Sequence, residues 1–332
     1  MREHYRCHPK IINFCNQRFY GGRLLIMTED HGEPDVIMAW RTAPGHHARG
    51  AFNPREIETI RREVLPSLPC EQTEIGIISP YNEQVNALHR ELGGGIDVAT
   101  VHKFQGREKE AIILSTVDDQ ITAFTDDPNL LNVAVSRAKR QFMLVTSSNE
   151  QPDSRNIADL LAYIDYNGGK ITESAIHSVF DLLYEPYAEA RREFLKRHRR
   201  ISEFDSENLT YALLERVLAA DPALLHLGVL CHQPLRQLIR DWTLLNDEER
   251  RYASNGATHL DFLIYNRVSK RPVLAIETDG YRFHKQGTRQ SERDRMKDRI
   301  LDRYSLPLLR LSTTGTDEET KIHTQLTELL QR

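Results

Sequence analysis

The stretch EAIILSTV (Glu110–Val117), with PDVIMAW (Pro34–Trp40), TEIGIISP (Thr73–Pro80), IDVATV (Ile96–Val101) and QFMLVTS (Gln141–Ser147), decides the fold of the first half of the chain. Each run is short, bounded by turn or helix signals, and apolar almost without interruption, as a strand covered on both faces must be. Amphipathic stretches separate the runs, and that alternation is the pattern of a parallel sheet with crossover helices. Asn53, Pro54 and Glu56 supply a cap, a proline at the first helical position and an acid in the first turn, so a helix is expected to open at Asn53.

Working outward, the 332 residues are too many for one ordinary core, and two domains of about 150 residues each are expected. The net charge of −4 is the difference between 44 basic and 48 acidic residues, so no global field draws the chain to a polyanion. Any nucleic-acid site must be local. Cys7, Cys15, Cys70 and Cys231 are too scattered for paired metal ligands or a disulfide framework, and MREHYRCHPK contains no apolar signal core. A reducing cytoplasmic setting is the expectation. No run approaches the roughly 18 apolar residues that a membrane helix needs.

After Ser147 the strand signal stops, and residues 151–200 read as a helical bridge that ends in RREFLKRHRR (Arg191–Arg200). That basic run is either a solvated helix face or a patch that contacts phosphates. From Ser202 the order is helix (SENLTYALLERVLAA), strand (LGVLCHQPL), a hairpin of HLDFLIY and VLAIETDG across the turn NRVSKRP, helix (ERDRMKDRILDRY), strand (PLLRLS) and helix. Residues 201–332 are therefore expected to form a mixed α/β domain.

EHYRCHP (Glu3–Pro9), TVHKFQGRE (Thr100–Glu108) and NVAVSRAK (Asn132–Lys139), with IISPYNEQ (Ile77–Gln84) between them, occur in the order of superfamily 1 helicase motifs. On these stretches, residues 1–150 resemble the second RecA-like motor domain of that superfamily, in the branch of the nonsense-mediated-decay helicase. The resemblance implies that Arg6 and Arg137 reach the γ-phosphate of ATP, that Gly106 and Glu108 adjoin the nucleotide, and that Tyr81, His102 and Gln105 lie along the nucleic acid. An arginine supplied by a neighbouring domain is a recurring device for stabilising charge on a transferred phosphoryl group. One part is missing from these residues. No GxxxxGK[ST] loop occurs, no magnesium-binding DExx strand stands in the right place, and NGGKIT (Asn167–Thr172) lacks the upstream glycine. ATP use is thus expected only with a first RecA-like motor domain, supplied upstream in the same protein or by a separate subunit.

The second half carries carboxylates. Glu277 and Asp279 are two apart on one strand and so share a face, and the hairpin brings Asp261 beside them. Three such carboxylates are expected to bind Mg²⁺ or Mn²⁺, hard cations that prefer oxygen. The pattern of Asp261, the hairpin, Glu277-x-Asp279-Gly280, His284, the helix containing Asp294 and Lys297, and Arg310 resembles the PD-(D/E)XK nuclease superfamily, in the group of very-short-patch repair endonucleases. The resemblance implies a restriction-endonuclease-like fold, an additional acid at Glu207 and assistance from His284. Asp279 stands where the superfamily commonly has lysine. Lys297 is either the relocated lysine or an ion-pair partner of Asp294 one turn away.

The expected molecule is α/β throughout: a RecA-like parallel-sheet domain, a basic bridge and a metal-dependent endonuclease domain that cleaves DNA, with RNA left open. Such a helicase–nuclease would serve DNA repair or bacterial defence. Two other readings stand beside it, a second domain that docks DNA without cutting it and a free-standing nuclease with a relic motor half.

Overall fold

The structure, a computed structural model, describes residues 3–184, 187–280 and 289–331. It divides into two units between His177 and Ser178, each with its own sheet and core.

The first unit runs β1 (Glu3–His4), α1 (Pro9–Phe19), β2 (Leu25–Ile26), β3 (Ile37–Thr42), α2 (Pro54–Thr59), β4 (Ile75–Ser79), α3 (Asn82–Leu92), β5 (Asp97–Thr100), α4 (Val101–Phe104), β6 (Lys109–Ser115), α5 (Pro128–Val135), β7 (Ala138–Ser147), α6 (Asn156–Tyr166) and β8 (Ile171–Glu173). Six strands form a parallel sheet in the order β5-β4-β6-β7-β3-β8. Alternate residues serve opposite layers. Ile112, Leu114, Phe142 and Leu144 pack with α1, α5 and α6, whereas Ala111, Ile113, Met143 and Val145 pack with α2 and α3. This double coverage is why the strand runs read as almost continuously apolar.

The helix expected at Asn53 is α2. The Asn53 side chain accepts from the backbone N–H groups of Arg55 and Glu56, with Pro54 at the start. Glu56 does more than begin a helix. It is fully buried and accepts from the hydroxyls of Ser115 (2.5 Å) and Thr116 (3.0 Å) and from Val117 N–H (3.0 Å). These donors hold Val117 at φ +74°, a conformation that a β-branched residue rarely adopts, where the chain leaves β6.

The bridge expected from residue 151 starts later, because α6 and β8 belong to the first unit. Ile157, Leu160 and Ile164 of α6 join the core, and β8 pairs with β3, placing Ile171 beside Ala39. A three-residue edge strand such as ITE is too short for its periodicity to be read. NGGKIT is the turn between them. Gly168 sits at φ +68° past the end of α6, and a Cβ at Gly169 would stand 2.3 Å from the carbonyl of Ile37. The glycine pair thus serves a helix end and a close approach between backbones.

The second unit contains α7 (Ala188–Arg197), α8 (Asp205–Ala220), β9 (Leu227–Pro234), α9 (Asp247–Ser254), β10 (His259–Asn266), β11 (Pro272–Asp279), α10 (Arg289–Arg303), β12 (Leu308–Ser312) and α11 (Glu318–Leu330). Its sheet has the order β12-β11-β10-β9, antiparallel from β9 to β11 and parallel between β11 and β12. Phe262, Ile264, Leu274 and Ile276 pack with α8 and α11 on one face. Leu263 and Ala275 pack with Met296, Ile300 and Leu301 of α10 on the other.

Candidate functional site

The register of β10 and β11 pairs Phe262 with Ile276, so Asp261 stands opposite Glu277 on the face that α10 covers. Asp261 N–H donates to Glu277 Oε1 at 3.3 Å, and Thr278 N–H donates to Asp261 Oδ2 at 2.8 Å. From α10, Lys297 Nζ donates to Glu277 Oε2 at 2.6 Å and to the carbonyl of His259 at 2.9 Å. Lys297 thus has a carboxylate partner on β11, Glu277, in addition to the backbone of β10. Glu207, in the first turn of α8, accepts from or shares a proton with His232 Nε2 at 2.8 Å. Glu207, His259, Asp261, Glu277, Asp279 and Lys297 line one cavity of about 490 Å³.

Asp279 departs from the expected trio. Its carboxylate meets Arg310 Nη1 at 3.2 Å, and Arg310 also reaches Asp298 at 2.7 Å. Among the described residues, Asp261, Glu277 and Asp279 do not bring three oxygens within 4.8 Å of one another. Asp279 shares the face of Glu277 as alternation requires, but β12 is the parallel neighbour and sets Arg310 beside Glu277, one strand away from both acids. The guanidinium draws Asp279 sideways. His284 lies outside the described residues.

Electrostatics separates the pair from its surroundings. Burial pushes the Glu277 carboxyl up to about 7; Lys297 opposes this and Asp261 adds to it. The Asp261 carboxyl is also raised by burial, with the Thr278 N–H and Lys297 opposing and Glu207 adding. Two desolvated carboxylates with hard oxygen donors and one lysine form an environment that a divalent cation fits, because it would offset the charge that burial disfavours. Sequence reasoning overlooked His232. Its signal is slight, a polar residue near the end of an apolar strand, and it stands at φ +50° opposite Asp261, because β9 pairs Cys231 with Phe262.

In the first unit, Arg6 and Arg137 come from segments that lie side by side: His8 N–H donates to the carbonyl of Lys139 at 2.7 Å, and Cys7 Sγ to that of Ser136 at 3.3 Å. Burial pushes the Cys7 thiol up to about 12, and the charges of Arg6, Glu108 and Arg137 act on it in turn. Arg6 Nε bonds Glu108 Oε1 at 2.7 Å, and Arg137 Nε donates to the carbonyl of Val133 at 3.2 Å. Gly106 has φ +85°, in the region that glycine favours. His102 and Gln105 are exposed. The Tyr81 hydroxyl donates to Asp118 at 2.9 Å, and its ring centroid lies 5.4 Å from that of the half-exposed Phe124.

One cluster among the described residues has the spacing of a metal site: His8, Asp30 and Glu33. Its hydrogen bonds argue against that use. His8 Nδ1 accepts from Lys10 N–H at 3.1 Å, so the ring proton of the neutral imidazole is on Nε2, which faces Glu33 at 3.2 Å. That nitrogen is a donor to the carboxylate and has no lone pair for a metal.

Among the described residues no helix is long and apolar enough to cross a membrane. Residues 1–149 match the family described as AAA domain, and residues 204–329 match the family described as Protein of unknown function (DUF2726). The chain is 27% identical over 193 residues to an uncharacterized ATP-dependent helicase of Caenorhabditis elegans, covering 52% of this chain and 13% of that protein. It is 30% identical over 179 residues to the DNA polymerase alpha-associated DNA helicase A of Saccharomyces cerevisiae, covering 42% and 26%. With the regulator of nonsense transcripts 1 homolog of Drosophila melanogaster it shares 30% over 171 residues, covering 42% and 14%. The chain therefore spans between 13% and 26% of the length of these relatives. Residues 1–149 are thus similar to the AAA domains of helicases, and residues 204–329 of the same chain match a different family.

Proposed function

We propose that the second unit cleaves DNA phosphodiesters with a divalent metal, and that the first unit is the second RecA-like half of an ATP-driven helicase motor. The observation that carries the cleavage reading is the buried pair Asp261 and Glu277, opposed across one ladder and faced by Lys297 inside a cavity. Asp261 and Glu277 would hold Mg²⁺ or Mn²⁺, with Glu207 at the rim of the same cavity; among the described residues neither Glu207 nor Asp279 closes a three-carboxylate cluster with them. Such a metal supplies an activated water and offsets charge on the phosphoryl oxygens.

The remaining work falls to the chain's own groups. Lys297 holds Glu277 in one orientation and places a positive charge beside the reacting phosphate. Arg310 neutralises Asp279 and so keeps a fourth negative charge from repelling a phosphate. His232 orients Glu207. In the motor half, Arg6 and Arg137 are directed at a γ-phosphate held by the first motor domain, and Glu108 exchanges Arg6 for a nucleotide ribose when that half is present. DNA is the substrate proposed for both units.

The test is nicking of supercoiled plasmid by the purified full chain with Mg²⁺, Mn²⁺ or EDTA, beside Asp261→Ala and Glu277→Ala. Metal-dependent nicking lost in both variants is expected. Nicking that survives both substitutions would sink the assignment, and failure of the wild type with either metal would favour a unit that docks DNA without cutting it. The chain alone is also expected to show no ATP turnover stimulated by nucleic acid, since its 332 residues contain no phosphate loop.

A further inference from the structure

The basic run at Arg191–Arg200 remains outside the proposed chemistry. It holds six arginines and lysines against one acid, Glu193, in a chain of net charge −4. Helix electrostatics explains part of it, because Lys196 and Arg197 stand in the last turn of α7, where cations are favoured. Arg191 is tied to the carbonyls of Leu182 and Leu183 and to Asp205, and Lys196 to Glu193. Arg192, Arg197 and Arg199 are exposed and make no ion pair among the described residues, and Arg199 lies beyond the helix, out of reach of that explanation.

The segment that follows is fixed. Asn208, 1% exposed, accepts from the N–H groups of Ile201 (2.8 Å) and Ser202 (3.1 Å) and donates to the carbonyls of Ser202 and Phe204 (3.0 Å each). This buried amide pins residues 201–204 onto the start of α8, yet it leaves the Phe204 ring 65% exposed. Three residues further on is Glu207, at the rim of the carboxylate cavity. Glu207 in turn bonds His232 of β9 at 2.8 Å, which ties the start of α8 to the strand beside that cavity.

An aromatic ring on a pinned loop, arginines without partners and a cavity of carboxylates thus follow one another. Base stacking on an exposed ring combined with arginines along the backbone is how proteins hold single strands without reading sequence. We propose that Arg192, Arg197, Arg199 and Phe204 form a single-stranded nucleic-acid track, with the arginines on phosphates and the ring on a base, leading a strand to the cavity that Glu207 borders. It rests on the cleavage reading only for what happens at the end of the track.

The test is binding of the full chain to a fluorescein-labelled oligothymidylate, followed by anisotropy in EDTA across a salt series, so that cleavage does not enter. In Arg192→Gln/Arg197→Gln/Arg199→Gln, the slope of log affinity against log salt becomes shallower by about 2, near 0.7 for each single-strand phosphate contact removed. Phe204→Ala weakens binding by about 5- to 100-fold at every salt concentration with the slope unchanged. Phe204→Tyr restores it and Phe204→Leu does not, a contrast that mere apolar packing would not produce. The first unit contributes equally in every variant, because all substitutions lie in the second.

An unchanged slope in the triple variant, or a Phe204→Leu chain that binds like Phe204→Tyr, overturns the proposal. So does loss of polyglutamate binding in the triple variant with oligothymidylate binding intact, which would make the strip a protein dock. A chain that fails to nick plasmid while showing the expected slopes would lose the cleavage reading and keep the track.

Discussion

Glu56 in the first unit and Glu277 in the second are both buried glutamates whose carboxyls are pushed up, to about 8 and about 7 respectively, with burial as the leading cause. Their surroundings differ. Glu56 is enclosed by neutral donors, two hydroxyls and a backbone N–H, and is fully buried. Glu277 faces another carboxylate and a lysine across a cavity of about 490 Å³. A raised carboxyl therefore does not by itself mark a site. What distinguishes Glu277 is charge held in place beside space for a ligand, whereas Glu56 is met by hydroxyls and a backbone N–H.

The sharpest break between the two is Glu277→Gln against Glu56→Gln. On the proposed cleavage reading Glu277→Gln removes a charged oxygen that would face the metal, and with it several kcal/mol of barrier lowering, so plasmid nicking falls by on the order of 10³-fold. Glu56→Gln is expected to nick at the wild-type rate. Equal loss in two folded variants would erase the distinction.

Stability reverses the ranking. Glu56→Ala leaves Ser115, Thr116 and Val117 N–H without their acceptor and releases the strained turn at Val117, a loss of about 3 kcal/mol in the first unit. Each unit holds one tryptophan, Trp40 and Trp242, so urea unfolding followed in a Trp242→Phe background reports the first unit alone. A shift under about 1 kcal/mol would mean that the three donors find other partners.

The same glutamate sets a pH dependence whose sign is fixed. A folded-state carboxyl raised above its unfolded value near 4.5 holds its proton more tightly when native. Its contribution is complete below that unfolded value and disappears as pH rises through about 8. The urea midpoint read by Trp40 should fall between mildly acidic and mildly alkaline pH, and Glu56→Gln should flatten that fall. A midpoint that rises over this range in wild type and variant alike would rule out the protonated Glu56.

Legibility in the sequence followed the number of residues that repeat a signal. The five strands β3 to β7 of the first unit repeat one apolar pattern over four to ten residues each, and the order of strands and helices in the second unit is marked by whole amphipathic segments. Asp261 opposite Glu277 was readable because a hairpin imposes its register. For Arg310 the sequence left a site carboxylate and a phosphate both open, and its pairing with Asp279 depends on β12 entering parallel from a distant part of the chain. The contact of Lys297 with Glu277 depends on the placement of α10 over the sheet, which no local pattern fixes. His232 and Glu56 looked like an ordinary strand residue and an ordinary first-turn acid. Their partners, Glu207 and residues 115–117, lie far away in sequence.

The smallest expected effect tests where the first unit ends. Gly169 carries no unusual φ, so strain in an Ala variant would come only from contact. A Cβ there would meet the Ile37 carbonyl at 2.3 Å and Ile164 Cγ2 at 2.8 Å, both in packed backbone or core. Relief requires the turn after α6 to move away from β3, loosening the bond from Ala39 N–H to the carbonyl of Lys170 (2.9 Å) and the pairing of Trp40 with Thr172. Residues past β8 are stitched to the same body by Ser174 N–H to Arg41 (2.8 Å), Ser174 to Thr59 (3.2 Å) and Arg55 to Ile176 (3.0 Å), so the strain should be shared and not absorbed by a slack linker. Gly169→Ala is therefore expected to destabilise the Trp40 transition by about 1–3 kcal/mol, the usual range for overpacking, and to leave a Trp242 transition where it was. If the Trp40 transition does not move, residues 167–177 behave as the bridge that their sequence first suggested, and the boundary of the helicase-type domain moves back toward residue 150.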